Sequence, residues 1–212
     1  MPHTHIQGVR SGCRIVLTGG PGGGKTTAAD LFRREIGDEV VIVPEAATLL
    51  FSGGFPRDPA PLAQRSAQSA IYHVQKNLEV AQSARYPGRV LLCDRGTVDG
   101  AAYWPGQADD YFRELGTSIE AEFARYDAVI FFESAAVGGI GIEGGNLVRN
   151  ESLAAAAALD TRLRELWSRH PRYILIPHSA SFLDKVSRGV RILEKLVREL
   201  RCAAPSSQSL EP

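Results

Sequence analysis

The stretch IVLTGGPGGGKTT, residues 15–27, passes from an apolar, β-branched run into a glycine-rich loop and then into Lys25, Thr26 and Thr27. Gly19 to Thr26 satisfy G-x-x-x-x-G-K-[ST] at every position. The spacing has a mechanical reason. Glycines let the backbone turn its N–H groups inward around phosphate oxygens, where a Cβ would intrude. The Lys25 ammonium then reaches the β- and γ-phosphates, and the Thr26 hydroxyl is placed to ligate Mg2+. A helix opening at Lys25 directs its positive dipole end at the same anion. The stretch predicts a strand, a phosphate loop and a helix. Gly19, Gly22, Gly23, Gly24, Lys25, Thr26 and Thr27 are expected to hold a nucleoside triphosphate.

A competing loop lies at residues 138–151, GGIGIEGGNLVRNE, where Gly139 to Gly144 fit the dinucleotide fingerprint G-x-G-x-x-G. That fingerprint should follow the first strand of its unit, open a helix at once, and be answered by an acidic residue about 20 positions on. Here it trails the fourth apolar run, and Asn146 to Asn150 separate it from the next helical segment. A chain of 212 residues has little room for two nucleotide folds. The second loop reads instead as a mobile lid that carries Arg149 and closes over a phosphoryl group.

Outward from the first loop, Arg14–Thr18, Val40–Val43, Val90–Cys93, Ala128–Phe132 and Tyr173–Ile176 are short runs rich in Val and Ile, the pattern of strands buried on both faces. Helical spacing fills Lys25–Ile36, Pro61–Tyr86, Asp109–Arg125, Leu153–Arg169 and Phe182–Arg201. The last is opened by Ser181 with Asp184 three residues on. The alternation predicts an α/β fold: a three-layer P-loop NTPase with a parallel five-stranded sheet, helices on both faces and a kinase-like lid. One domain over 13–202 is expected, between a flexible tail at 1–12 and a disordered tail at 203–212.

Composition narrows the partners. Lys and Arg number 24 against 24 Asp and Glu, which argues against a broad nucleic-acid or anionic-lipid footprint. No apolar run is long enough to span a bilayer, and the opening residues lack a signal-peptide core. Cys13, Cys93 and Cys202 lack metal-ligand spacing and suit a reducing compartment, so a cytoplasmic location is expected.

Phosphoryl transfer also needs a metal or water ligand, a base for the acceptor, and cations on the migrating group. Asp94 follows the run VLLC, at the carboxyl edge where open α/β sheets bind ligands. It reads as a Mg2+ ligand with Arg95 on a phosphate, against a helix-capping Asp and a surface ion pair. Glu45, after Pro44 stops the second strand, reads either as the base for an acceptor hydroxyl or as the first-turn acid of a helix. Gln68, Tyr72 and Gln75 share one helical face, as do Asp99 and Tyr103. Each set is a candidate to bind a heterocyclic acceptor or a plain solvated face. Residues 178–181 read as a base contact or a capping turn. No Asp-Glu pair of motor ATPases follows the third strand. The asparagines, Asn77, Asn146 and Asn150, leave no place for the Asn-Lys-x-Asp of signalling GTPases.

Together GGPGGGKTT, VPEAAT, DRGTVDGAAYW and NLVRNE resemble the small kinase-like P-loop proteins grouped as an AAA domain, which are related to the nicotinamide riboside kinase domain. More distantly the chain resembles deoxynucleoside and thymidylate kinases, and the resemblance runs from Arg14 to about Leu200. It implies Glu45 as base, Asp94 and Arg95 for metal and phosphate, and Arg149 as the lid arginine. Gly96 departs from the Ser, Tyr or His those kinases carry after the arginine, so their acceptor pocket does not transfer. The expectation is a Mg2+-dependent kinase that uses ATP, with GTP as alternative donor, on a hydroxyl of a small, nucleoside-like molecule. The rival expectation is a nucleotide-dependent regulatory protein with slow hydrolysis that presents its lid to a partner.

Overall fold

The computed structural model describes residues 12–138, 153–179 and 181–202. Five strands follow the expected runs: β1 Arg14–Thr18, β2 Val40–Val43, β3 Val90–Asp94, β4 Ala128–Phe132 and β5 Tyr173–Ile176. All pair in parallel, in the order β2-β3-β1-β4-β5. β3 and β4 are buried at every residue, as strands covered by helices on both faces must be. The helices are α1 Lys25–Ile36, α2 Ala46–Ser52, α3 Pro61–Arg85, α4 Asp99–Ala102, α5 Ala108–Glu114, α6 Ile119–Phe123, α7 Leu153–Trp167 and α8 Phe182–Cys202.

Strand side chains alternate between faces, so neighbouring residues of β1 serve different cores. Ile15 and Leu17, with Ile130 and Phe132, pack on Phe32 of α1 and on Leu193 and Val197 of α8. Val16, with Leu91, Val129 and Phe131, packs on Tyr72 of α3, Tyr111 of α5, and Leu163 and Trp167 of α7. The result is the expected three-layer α/β fold. Phe32 is fully buried, and truncating such a ring to Ala costs about 3–5 kcal/mol.

Asp109–Arg125 is not the single helix its spacing predicts. α5 ends at Glu114, Gly116 turns the chain with φ +66°, and Ser118 caps α6 by accepting from the Ala121 amide. A left-handed glycine followed by a capping serine overrides the apolar period. The short α2 and α4 have too few residues to show a period at all. The capping signature before α8 does form: Ser181 Oγ accepts from Asp184 N at 3.2 Å.

β1 leads across β3 to β2, whereas β3 leads across β1 to β4. The first connection runs through α1 on one face of the sheet and the second through α5 and α6 on the other, so the carboxyl ends of β1 and β3 border the crevice expected of such a sheet. The expected lid at 138–151, with Arg149, lies outside the described residues apart from Gly138, as do both tails apart from Gly12. No described helix is long and apolar enough to cross a membrane.

Candidate functional site

The loop after β1 closes on α1 with Gly24 as its N-cap, in a left-handed conformation at φ +81°, and the cap residue offers no side-chain bond. The first-turn amides of α1 therefore offer donors to an anion. Lys25 Nζ lies 2.7 Å from Gly20 O, inside the loop. The loop also presses on β4. A Cβ at Gly19 would stand 2.0 Å from the Phe132 carbonyl oxygen. Three side chains from outside the motif brace it: Asp160 accepts from Gly20 N at 2.7 Å, Ser134 Oγ donates to Pro21 O, and Lys185 Nζ donates to Gly23 O at 2.9 Å.

The Thr26 hydroxyl donates to Asp94 Oδ2 across 3.3 Å. Burial raises the Asp94 pKa above its ordinary value and Glu45 adds to the rise, while Lys25, Arg95 and Thr26 oppose it. A buried carboxylate beside an exposed threonine hydroxyl offers the hard oxygen donors that Mg2+ takes, with phosphate and water completing the shell. A cation there would also offset the desolvation of Asp94. The residues fit the metal. Among the described residues, no group of three or more His, Cys, Asp or Glu gathers where it could hold a metal ion.

Arg95 is the sole described non-glycine residue with positive φ, at +79°. Such a conformation costs on the order of 1–3 kcal/mol and persists where the surroundings over-determine it. Nε donates to Glu45 Oε1 at 2.8 Å and Nη1 to Asp99 Oδ2 at 3.0 Å, while Nη2 is buried without a hydrogen-bond partner. Burial by itself would lower the Arg95 pKa, but Tyr103, Glu45 and Asp99 hold it well above its usual value. Asp99 is fixed in turn by the Thr18 hydroxyl at 2.9 Å and by the Trp167 indole N–H. A continuous polar chain thus ties the end of β1 to Arg95 and Glu45.

Beside this chain lies a cavity of about 370 Å³, whose lining joins Glu45, Arg95 and Asp99 to Gln68, Tyr72, Gln75 and Tyr103. Tyr72 and Gln75 are buried, and they are held from behind: the Tyr72 hydroxyl donates to Glu122 at 2.7 Å and Gln75 Nε2 to Glu79 at 3.2 Å. The α3 face is therefore a cavity wall and not a solvated stripe.

The surroundings of the other candidate residues differ in kind. Glu45 stands at the N-terminal boundary of α2, where its side chain makes no backbone cap but accepts from the Thr48 hydroxyl of that helix and pairs with Arg95. Asp94 caps no helix, since α4 begins after Val98. Arg95 is buried, so its pairing is not a surface one. Gly96 leaves space that the Trp167 ring fills, for a Cβ there would meet the ring at 2.8 Å. His178 N donates to Glu133 Oε2 at 2.9 Å, and His178 shares a second hollow with Ser179, Lys185, Arg188 and Arg191. Thr18, Ser134, Asp160, Trp167 and Lys185 carry no motif, and the one available signal was a charge at the rim of an apolar helix stripe for Asp160 and Lys185.

A family model described as an AAA domain matches residues 14–185, from the first residue of β1 to Lys185 in the opening turn of α8. No curated protein matches the chain.

Proposed function

The chain belongs to this AAA-domain family, and from that premise we propose that it is a kinase: it binds ATP, or GTP in its place, and passes the γ-phosphoryl group to a hydroxyl of a small molecule held beside Arg95. Lys25 and the amides of Gly22 to Thr27 grip the triphosphate. Thr26 and Asp94 would hold Mg2+, which supplies charge neutralisation on the phosphates. Glu45 takes the proton of the acceptor hydroxyl as its oxygen attacks the γ-phosphorus. The bond from that phosphorus to the β–γ bridging oxygen breaks, and a nucleoside diphosphate leaves. Arg95, and Arg149 from the lid, stabilise the migrating group.

One observation carries this reading. Arg95 adjoins Asp94, lines the cavity, and keeps a buried Nη2 with its donors unspent, so an oxygen anion arriving from the phosphate loop would complete it. Gln68, Gln75, Tyr72 and Tyr103 of the wall supply hydrogen bonds and ring faces for a heterocycle. With the resemblance to nicotinamide riboside and deoxynucleoside kinases, they support a nucleoside-like acceptor. A cytoplasmic site of action belongs to the same proposal.

The test incubates the chain with γ-labelled ATP, Mg2+ and a panel of nucleosides and small alcohols. Label should appear in one acceptor class. Nucleotide binding with no labelled acceptor, together with a partner protein retained in the presence of nucleotide alone, would replace the kinase by the regulatory reading.

A further inference from the structure

Two side chains of opposite charge, both outside the glycine motif, hold the phosphate loop from behind. Lys185 Nζ donates to Gly23 O at 2.9 Å and to Glu133 O at 2.6 Å. Asp160 Oδ1 accepts from Gly20 N at 2.7 Å and from Ser134 N at 2.9 Å. Each therefore fastens one peptide of the loop to one of two consecutive residues at the end of β4. Both are buried, at 5% and 2% exposure.

The direction of these bonds matters more than their number. In a trans peptide the C=O and the following N–H point opposite ways. Drawing Gly23 O toward Lys185 thus turns the Gly24 N–H away from Lys185. Asp160, by taking Gly20 N, fixes where the loop leaves β1. Charge-assisted hydrogen bonds are about twice as strong as neutral ones, and donors oriented in advance need no reorganisation when the anion arrives. The glycines alone do the opposite, since they leave the loop many conformations.

We propose that Lys185 and Asp160 are positioning residues for the triphosphate, a two-sided brace that aims the loop amides before any ligand binds. This rests on the loop being the triphosphate site. Asp160 lies in α7 and Lys185 in α8, so both helices are tied to the loop.

The experiment is calorimetry of the full chain with inorganic tripolyphosphate and, separately, with Mg2+ and ATP. Tripolyphosphate has no base or sugar, so it reads the phosphate contacts without those of a nucleoside. Lys185→Met should weaken tripolyphosphate binding by about tenfold or more, equivalent to about 1.4 kcal/mol, in a protein that still melts cooperatively above the assay temperature. Asp160→Ala should do the same, and Asp160→Asn, which keeps an acceptor oxygen, should recover most of the loss. If Lys185→Met does not fold, the Asp160 pair of variants carries the test. Folded Lys185→Met or Asp160→Ala binding tripolyphosphate within about twofold of the unchanged chain would overturn the brace. An unchanged chain that binds neither tripolyphosphate nor ATP would instead remove the triphosphate site, and the brace with it.

Discussion

Arg95 Nε donates to Glu45 Oε1 across 2.8 Å, from a guanidinium side chain that is 8% exposed. The contact joins the proposed base to the proposed phosphoryl ligand, so both reach the cavity as one unit. Glu45→Gln keeps an oxygen for Arg95 and removes the proton acceptor. Nucleotide affinity measured by calorimetry should stay unchanged, while turnover falls by about 10²–10⁴-fold. Lys25→Ala should show the reverse order of effects, losing nucleotide affinity first. Full turnover in Glu45→Gln would take Glu45 out of the chemistry.

Removing the arginine is a different experiment. Arg95→Ala leaves the Glu45 and Asp99 carboxylates, 11% and 5% exposed, without their shared cation. Stripping one partner from a buried ion pair costs about 3–5 kcal/mol, to be read as a lower urea midpoint at an unchanged slope. Arg95→Lys keeps a charge but cannot donate in two fixed directions. It should recover part of the stability and little of the turnover. A midpoint unmoved by Arg95→Ala would mean that the two ion pairs add nothing to the fold.

What could be read ahead of the structure was what neighbouring residues determine. The spacing from Gly19 to Thr26 is local, and a strand buried on both faces is a plain apolar run, so the loop, β1 and the four other strands were legible. Thr18 meets Asp99 across 81 positions and Trp167 meets Asp99 across 68. Such pairings come from the strand order, which no local period encodes. Asp160 and Lys185 sit at the rims of apolar helix stripes, where a charge ordinarily faces water. Their burial depends on the loop they brace. The long α5–α6 segment failed for the converse reason: its apolar period was real, but Gly116 and Ser118 divided it.

Gly96 and Trp167 form a second testable pair. Gly96→Ser places a Cβ 2.8 Å from the indole ring and should destabilise by about 1–3 kcal/mol through overpacking. Trp167→Phe shortens the ring and deletes the N–H that Asp99 accepts, a loss of about 1 kcal/mol or more on its own. Because the two substitutions act on one space, the double variant should be more stable than the sum of the single effects predicts. Strict additivity in chemical denaturation would show that Trp167 does not exclude a side chain at position 96.

Lys185 also sets a pH dependence whose sign is opposite to that of an ordinary surface ion pair. Burial lowers its pKa from 10.5 to about 8, with Asp160 of α7 and Glu133 after β4 opposing the shift. Below pH 8 the ammonium is charged in the folded and unfolded chains alike, and the desolvation penalty is present in full. Between about 8 and 10.5 the unfolded chain holds the proton and the folded chain releases it, so the penalty is relieved and stability rises with pH. The total rise attributable to this group is on the order of 3 kcal/mol. Other titrating groups cancel when the unchanged chain is compared with Lys185→Met at each pH. The difference in unfolding free energy, unchanged chain minus variant, should therefore climb from pH 7.5 through pH 10. A flat difference would place the Lys185 ammonium in water, where it could not hold the Gly23 carbonyl as the brace requires.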